Sequence, residues 1–242
     1  MPGLGTLVNA LAILFGGAAG LVLKRFLSTR LTDTVTHGLG LAVIMVGLWG
    51  TISNAFTVHD GGLHAQYTMI VIVSLALGAL LGELINIEKH LDTLAKKCEK
   101  RFVSNEAPST FAQGFVTASL IFCVGAMAIV GALEDGINQN TSVLFAKALL
   151  DAVIALVLAS TLGKGVLFSA ASVLLYQGLL TALAVVIAPY LSDILVTQVS
   201  LVGSVLIVGI GLNILKITKI RIGNLLPAIL IPIIYYALRI LI

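Results

Sequence analysis

The stretch VLFAKALLDAVIALVLASTL, residues 143–162, decides the fold class of this chain. A helix needs about 20 mostly apolar residues to cross a bilayer, and this stretch carries no charges other than Lys147 and Asp151. Because a backbone in lipid must satisfy its own hydrogen bonds, such a run forms a helix. We therefore predict that residues 143–162 span a membrane.

Other stretches of the chain have the same apolar character, namely 6–23, 35–56, 67–86, 111–133, 165–188, 197–215 and 222–239. Of the 242 residues, 59% are hydrophobic and 10% are charged, whereas soluble domains carry about 25% charged residues. A surface with so few charges must face lipid. We predict an all-α, polytopic transmembrane bundle of about eight spans, in a single domain over residues 1–242.

The basic residues alternate between the loops that separate these spans. Twelve of the 14 Lys and Arg residues lie in the loops after spans one, three, five and seven. Cytoplasmic loops carry an excess of Lys and Arg. These loops are therefore predicted to be cytoplasmic. Both termini are then predicted to lie on the opposite, outer side of the membrane.

Residues 87–102 form the most polar segment of the chain. Apolar residues recur in it at helical spacing, between lysines and acids. This pattern is typical of an amphipathic helix that lies on the cytoplasmic membrane surface. Two roles stay open for it: a plain surface anchor, or a docking site for a cytoplasmic partner or anionic lipid.

Ionisable residues inside the spans are candidate functional residues, because each costs roughly 2.5–3.5 kcal/mol at a helix centre on insertion scales. Asp151 lies near the middle of span five, and Lys147 precedes it by one turn, so the two can pair. The pair either locks helices together or lies on a substrate or proton path. Glu134 and Asp135 end span four, either as a solvated helix end or as an acidic vestibule that attracts cations.

Glu83 lies near the predicted cytoplasmic end of span three, after Gly78 and Gly82, whose spacing permits close helix contact. Its charge either snorkels to the interface or serves an exit from the membrane. Helix packing or polar support is predicted for further small, amide and proline residues of the spans: Asn9, Gly16, Gly20, Gln177, Asn213, Asn224 and Pro227.

Two spans carry residues that interrupt helices. Gly125 and Gly131 lie in span four, and Pro227 and Pro232 lie in span eight. Paired interruptions point to a transporter site, and kinks without function fit the pattern equally well. The sequence of span two also resembles that of span seven, and their predicted directions are opposite. This would suit an inverted repeat, or arise by chance between apolar stretches.

Several short motifs together resemble a known family. They are Asn9 with Gly16, Gly17 and Gly20, the run LGALLGE at 77–83 followed by Glu88 and Lys89, Phe122-Cys123, residues 131–136, AKALLD at 146–151, and NLLPA at 224–228. Over nearly its whole length the chain is similar to the bacterial inner-membrane family filed as domain of unknown function 554. The resemblance implies a polytopic protein of that membrane with a suspected transport role, and no particular substrate.

These features predict a secondary transporter or channel-like permease for a small solute or ion. Asp151 would bind or couple the solute, with Lys147 as its charge partner and gate. Glu134 and Asp135 would recruit the solute at the outer mouth, and Glu83 would serve the inner exit.

The alternative function is a membrane scaffold or sensor that docks a partner through residues 87–102. The sequence contains no recognisable nucleophile–base pair, phosphate-binding glycine loop or paired-histidine metal motif. We therefore predict no enzyme activity, no cofactor, no metal site and no nucleic-acid partner. The lipid bilayer is the expected partner, and association into a homo-oligomer stays open.

Overall fold

The computed structural model describes residues 2–26, 28–59, 61–90, 93, 108–123, 126–187 and 192–241. In this part the chain is helical, apart from turns and a short antiparallel hairpin of β1 (Phe56–His59) and β2 (Gly62–Ala65). The helices are α1 (Leu4–Lys24), α2 (Thr29–Ala55), α3 (Thr68–Ile85), α4 (Pro108–Cys123), α5 (Ala126–Asn138), α6 (Ser142–Leu162), α7 (Gly165–Ala182), α8 (Ala184–Ile187), α9 (Asp193–Ile214), α10 (Ile222–Leu225) and α11 (Ile231–Leu241).

Six helices in the described ranges are long and apolar enough to cross a membrane: α1, α2, α3, α6, α7 and α9. Helices α4 and α5 meet the same criterion together, although they are bent by 60° relative to each other. The predicted span eight is interrupted by a 3-10 helix, Leu226–Leu230, between α10 and α11. Pro227 lies in this turn, where it removes a backbone donor and clashes with the preceding turn of an α-helix. The predicted all-α membrane bundle is confirmed, with six spans in the described ranges, or seven if α4 and α5 form one span.

The chain divides into two compact units. Unit 1 contains Met1–Leu39 and Leu91–Leu191, and unit 2 contains Gly40–His90 and Ser192–Ile242. Each unit therefore combines helices from the N-terminal and the C-terminal half of the chain.

In unit 1, α1 lies along α6 in the same direction and at backbone contact distance. A Cβ atom at Gly16 would be 2.1 Å from the Ala152 carbonyl oxygen, and one at Gly20 would be 2.2 Å from the Leu156 oxygen. Small residues at membrane helix interfaces allow this approach. The contact places the first turns of α1 beside the first turns of α6.

In unit 2, α3 packs against the interrupted span eight in the opposite direction. A Cβ atom at Gly78 would be 2.4 Å from the Ala228 backbone nitrogen, and one at Gly82 would be 1.8 Å from the Asn224 oxygen. Helix α2 similarly runs opposite to α9, with Gly47 close to the Val208 backbone. These directions within each unit agree with spans that alternate across a membrane.

The exposed surface of the helices carries large apolar side chains, whereas the residues at the contacts between helices are small. Leu84, Phe15 and Trp49 are exposed by 84%, 74% and 72%, whereas the buried residues of α3 are a serine and two glycines. Such an arrangement is typical of a membrane protein, in which lipid covers the large side chains.

Only part of the predicted amphipathic segment can be placed. Residues 87–90 form a helical turn after Asn86, which has a left-handed backbone conformation with a φ of 55°. The rest of 87–102, apart from residue 93, lies outside the described residues, as does Gly125 of span four.

Candidate functional site

Lys147 and Asp151 form a buried ion pair on one face of α6. The Lys147 Nζ donates a hydrogen bond to Asp151 Oδ2, and these residues are exposed by only 6% and 3%. The Lys147 ammonium also lies 5.9 Å from the centroid of the Phe122 ring, within range of a cation–π interaction. Protein rather than lipid therefore surrounds both charges.

A buried ion pair of this kind is a weak source of stability. In a helix the acidic residue is better placed before the basic one, and here Lys147 precedes Asp151. Replacing a buried ion pair with apolar residues is often neutral or stabilising, whereas removing one partner costs about 3–5 kcal/mol. A pair at this depth is therefore a candidate for function.

Two amide side chains from α1 and α7 extend the polar group. Asn9 Nδ2 donates to Gln177 Oε1 over 3.2 Å, and the Asn9 side chain lies near the Asp151 carboxylate. Both amides are completely buried. Asn9 Oδ1 and Gln177 Nε2 have no partner in the described part of the chain. Because buried polar atoms are nearly always paired, this free acceptor and free donor mark a polar group that the fold itself leaves incompletely satisfied.

A second buried carboxylate contacts the start of α1. Asp135 is completely buried, and its Oδ2 accepts a hydrogen bond from the Gly5 backbone nitrogen over 3.0 Å. The N–H groups in the first turn of a helix have no partner within that helix, so Asp135 caps α1 from α5. Its Oδ1 has no partner among the described residues. Beside Gly5, the hydroxyl oxygens of Thr6 and Thr181 are 3.4 Å apart.

The interruption of span four lies next to the ion pair. Helix α4 ends at Cys123, and Phe122, one residue earlier, provides the ring that faces Lys147. Interrupted helices are tolerated within a membrane where protein or a water-filled cavity covers the free backbone groups. They line the substrate sites of many secondary transporters.

The other predicted site residues make their hydrogen bonds outside this group. Glu134 is half-buried, and its Oε2 accepts a hydrogen bond from Asn138 Nδ2 over 3.0 Å. It therefore binds within its own helix, while its neighbour Asp135 contacts α1. Asn213 stabilises the turn after α9, where its side chain bonds Thr218 and both backbone groups of Ile220.

Glu83 belongs to a hydrogen-bond network in unit 2. Its two carboxylate oxygens accept from Arg221 Nη1 and Asn224 Nδ2, each over 2.6 Å. Asn224 Oδ1 in turn accepts from the Glu88 backbone nitrogen over 2.8 Å. Asn224 is buried, whereas the Glu83 and Arg221 side chains are 56% and 64% exposed. The network joins α3 to the interrupted span eight.

Sequence reasoning did not assign three residues of the group in unit 1 to the site: Thr6, Thr181 and Phe122, of which Phe122 was named only in the motif Phe122-Cys123. None of them carries a charge, and threonine and phenylalanine are ordinary residues of a membrane helix. The available signal was spacing, because Gln177 and Thr181 lie four residues apart and so share one face of α7.

Comparison with known proteins places the whole chain in one family. The family model described as "Protein of unknown function (DUF554)" matches residues 4–237. The chain is 33% identical to "Uncharacterized membrane protein YdfK" of Bacillus subtilis (strain 168) over 228 residues, which cover 94% of this chain and 93% of that protein. It is 30% identical to "Uncharacterized protein YqgA" of Escherichia coli (strain K12) over 231 residues, 94% of each chain. No solved structure gives a significant match. This chain is a helical membrane protein and belongs to the DUF554 family.

Proposed function

We propose that this protein is a secondary transporter or channel-like permease for a small solute or ion, with its binding site at Lys147 and Asp151. The observation that supports this proposal is the buried ion pair beside an interrupted helix. The unpartnered Asn9 Oδ1 and Gln177 Nε2 are further polar groups that the packing leaves unpaired, and a ligand would reach them only after the surrounding side chains move. A fold held together by packing alone has no need of these groups.

The ion pair would act as an exchangeable gate. A cation or proton that reaches Asp151 replaces the Lys147 ammonium, whose flexible stem can move away. When the solute leaves, the ammonium returns, so neither state leaves Asp151 buried and unpaired. Binding that is weak and replaceable is also what passage through a membrane requires.

The predicted topology gives this path a direction. If the loops rich in Lys and Arg face the cytoplasm, the end of α5 and the start of α1 face outside. A solute would then enter past Glu134, Asp135 and the two threonine hydroxyls before it meets Asp151. In this topology Glu83 lies near the cytoplasmic end of α3, and it would serve the exit of the solute on that side. The proposed location is the bacterial inner membrane.

The proposal is tested by charge movement and uptake in proteoliposomes made with the purified protein. The solutes applied would be Na⁺, K⁺, H⁺, ammonium and small amino acids, each as a concentration jump. We expect wild-type protein to respond to at least one solute and Asp151→Asn to lose that response. Asp193→Asn is the matched control, because Asp193 is an exposed carboxylate in the first turn of α9.

A double variant separates function from structure. Lys147→Met with Asp151→Leu replaces the pair by apolar side chains, and we expect a change in unfolding free energy of less than about 2 kcal/mol, since such replacements are often neutral. The same protein should be inactive in proteoliposomes. Full activity of this folded variant would show that the pair has no part in transport.

A further inference from the structure

The Lys147 side chain ends in a primary ammonium group, and other residues of the protein surround this group as they would surround a ligand. Its partners are the Asp151 carboxylate and the Phe122 ring, and the Asn9 amide neighbours that carboxylate. Phe122 and Asn9 are completely buried. A carboxylate with an aromatic face is a combination that recognises ammonium ions.

We propose that this pocket, formed by Asp151, Phe122 and Asn9, is a binding site for a small primary ammonium ion. Lys147 fills it as a tethered surrogate when no ligand is bound. The inference deepens the proposed function, because it names the chemical class of the solute. It rests on that function for transport, but not for binding.

Hydrogen bonding favours a primary ammonium over other cations. The group has three N–H donors, of which one is used on Asp151 in the Lys147 contact. Lys147 makes no hydrogen bond to the unpartnered Asn9 Oδ1, so a free ammonium ion would use it as a second acceptor only by shifting from the position of the Lys147 ammonium. A quaternary ammonium has no N–H to offer, and a hard metal cation prefers an oxygen ligand where the pocket presents the Phe122 ring.

Because the Lys147 ammonium is attached to the protein beside the pocket, we expect a free ammonium ion to bind only weakly to the wild-type protein. An attached group competes with free ligand at a high effective concentration, which commonly changes apparent affinity by a factor of about 10²–10⁴. Removing the lysine side chain should therefore uncover the site. Lys147→Ala lacks the atoms of one propylammonium ion, so n-propylammonium is the matching probe.

The experiment measures the thermal unfolding midpoint of purified Lys147→Ala in detergent micelles. It is titrated with n-propylammonium, tetramethylammonium and sodium chlorides at equal ionic strength. We expect a saturable rise in the midpoint with n-propylammonium alone. The rise should disappear in Lys147→Ala with Asp151→Asn, and in wild type it should need at least about a hundredfold more ligand because of the tether.

An equal response to the three salts, or a response that persists without the Asp151 charge, would overturn the inference. If Lys147→Ala does not fold, Lys147→Met is used instead, because its side chain fills the space of the lysine stem. It is titrated with ammonium chloride and, as the control, with sodium chloride, and the outcomes are interpreted in the same way. Uptake assays on wild-type protein keep the two proposals apart. Specific ammonium binding without any transport contradicts the transporter proposal alone, whereas Asp151-dependent transport without ammonium binding contradicts this inference alone.

Discussion

Asp135 caps helix α1 from another helix, because its Oδ2 accepts a hydrogen bond from the Gly5 backbone nitrogen over 3.0 Å. Gly5 also has no room for a side chain, since a Cβ atom there would be 2.8 Å from Leu144. Asn9 follows Gly5 by one turn of the same helix. The contact therefore fixes the position of α1 along its axis, and with it the position of Asn9 relative to Gln177 and Asp151.

We expect Asp135→Ala to lower the unfolding free energy by about 1–3 kcal/mol, because it removes a helix cap and leaves a buried N–H unpaired. Asp135→Asn retains an acceptor and should lose less. Unfolding in micelles measures both, and hydrogen exchange at the start of α1 should rise in parallel. Glu134→Ala is the control, and a loss as large as that of Asp135→Ala would contradict the assignment of the cap to Asp135.

Two glycines of α1 are predicted to be intolerant of any side chain. Alanine at Gly16 or Gly20 would bring a methyl group within about 2 Å of a carbonyl oxygen of α6, and overpacking of this kind costs about 1–3 kcal/mol or more. Gly178 in α7 has nothing within 4 Å of its Cβ position. Gly178→Ala should therefore be neutral or stabilising by up to about 1 kcal/mol, since glycine is a poor helix former. Thermal unfolding of the three variants tests the contrast, which fails if all three behave alike.

The sequence predicts contacts within a helix better than contacts between helices. Lys147 and Asp151 were predicted to pair because helical geometry alone places residues four apart on one face. The partners of Asn9 and Asp135 lie 168 and 130 residues away, and the register of such distant helices depends on the packing of every residue between them. The interruption of span eight is visible in Pro227 and Pro232, and Gly125 and Gly131 mark span four as interrupted, although neither glycine predicts the 60° angle between α4 and α5.

In unit 2, Asn224 is predicted to require an uncharged amide. Its Nδ2 donates to Glu83 and its Oδ1 accepts from the Glu88 backbone, so Asn224→Ala should cost about 1–3 kcal/mol for the buried groups left unpaired. Asn224→Asp should be worse, because it places two carboxylates together. Adding Glu83→Gln should recover part of this loss, since the glutamine can donate to the new carboxylate. Unfolding of wild type, Asn224→Asp, Glu83→Gln and the double variant in micelles gives the coupling between the sites, and strictly additive losses would show that the two side chains do not interact.

The direction of the spans can be read from single cysteines at exposed positions between the helices. In a background of Cys98→Ser and Cys123→Ser, the variants Thr57→Cys and Asn140→Cys lie on loops without Lys or Arg, whereas Lys219→Cys lies on a basic loop. Because basic loops remain in the cytoplasm, an impermeant maleimide added to intact cells should label the first two variants. It should label Lys219→Cys only after the membrane is permeabilised. The opposite labelling pattern would show that the protein has the inverse orientation, with Asp135 on the cytoplasmic side. Labelling of all three variants in intact cells would contradict the alternation of the spans.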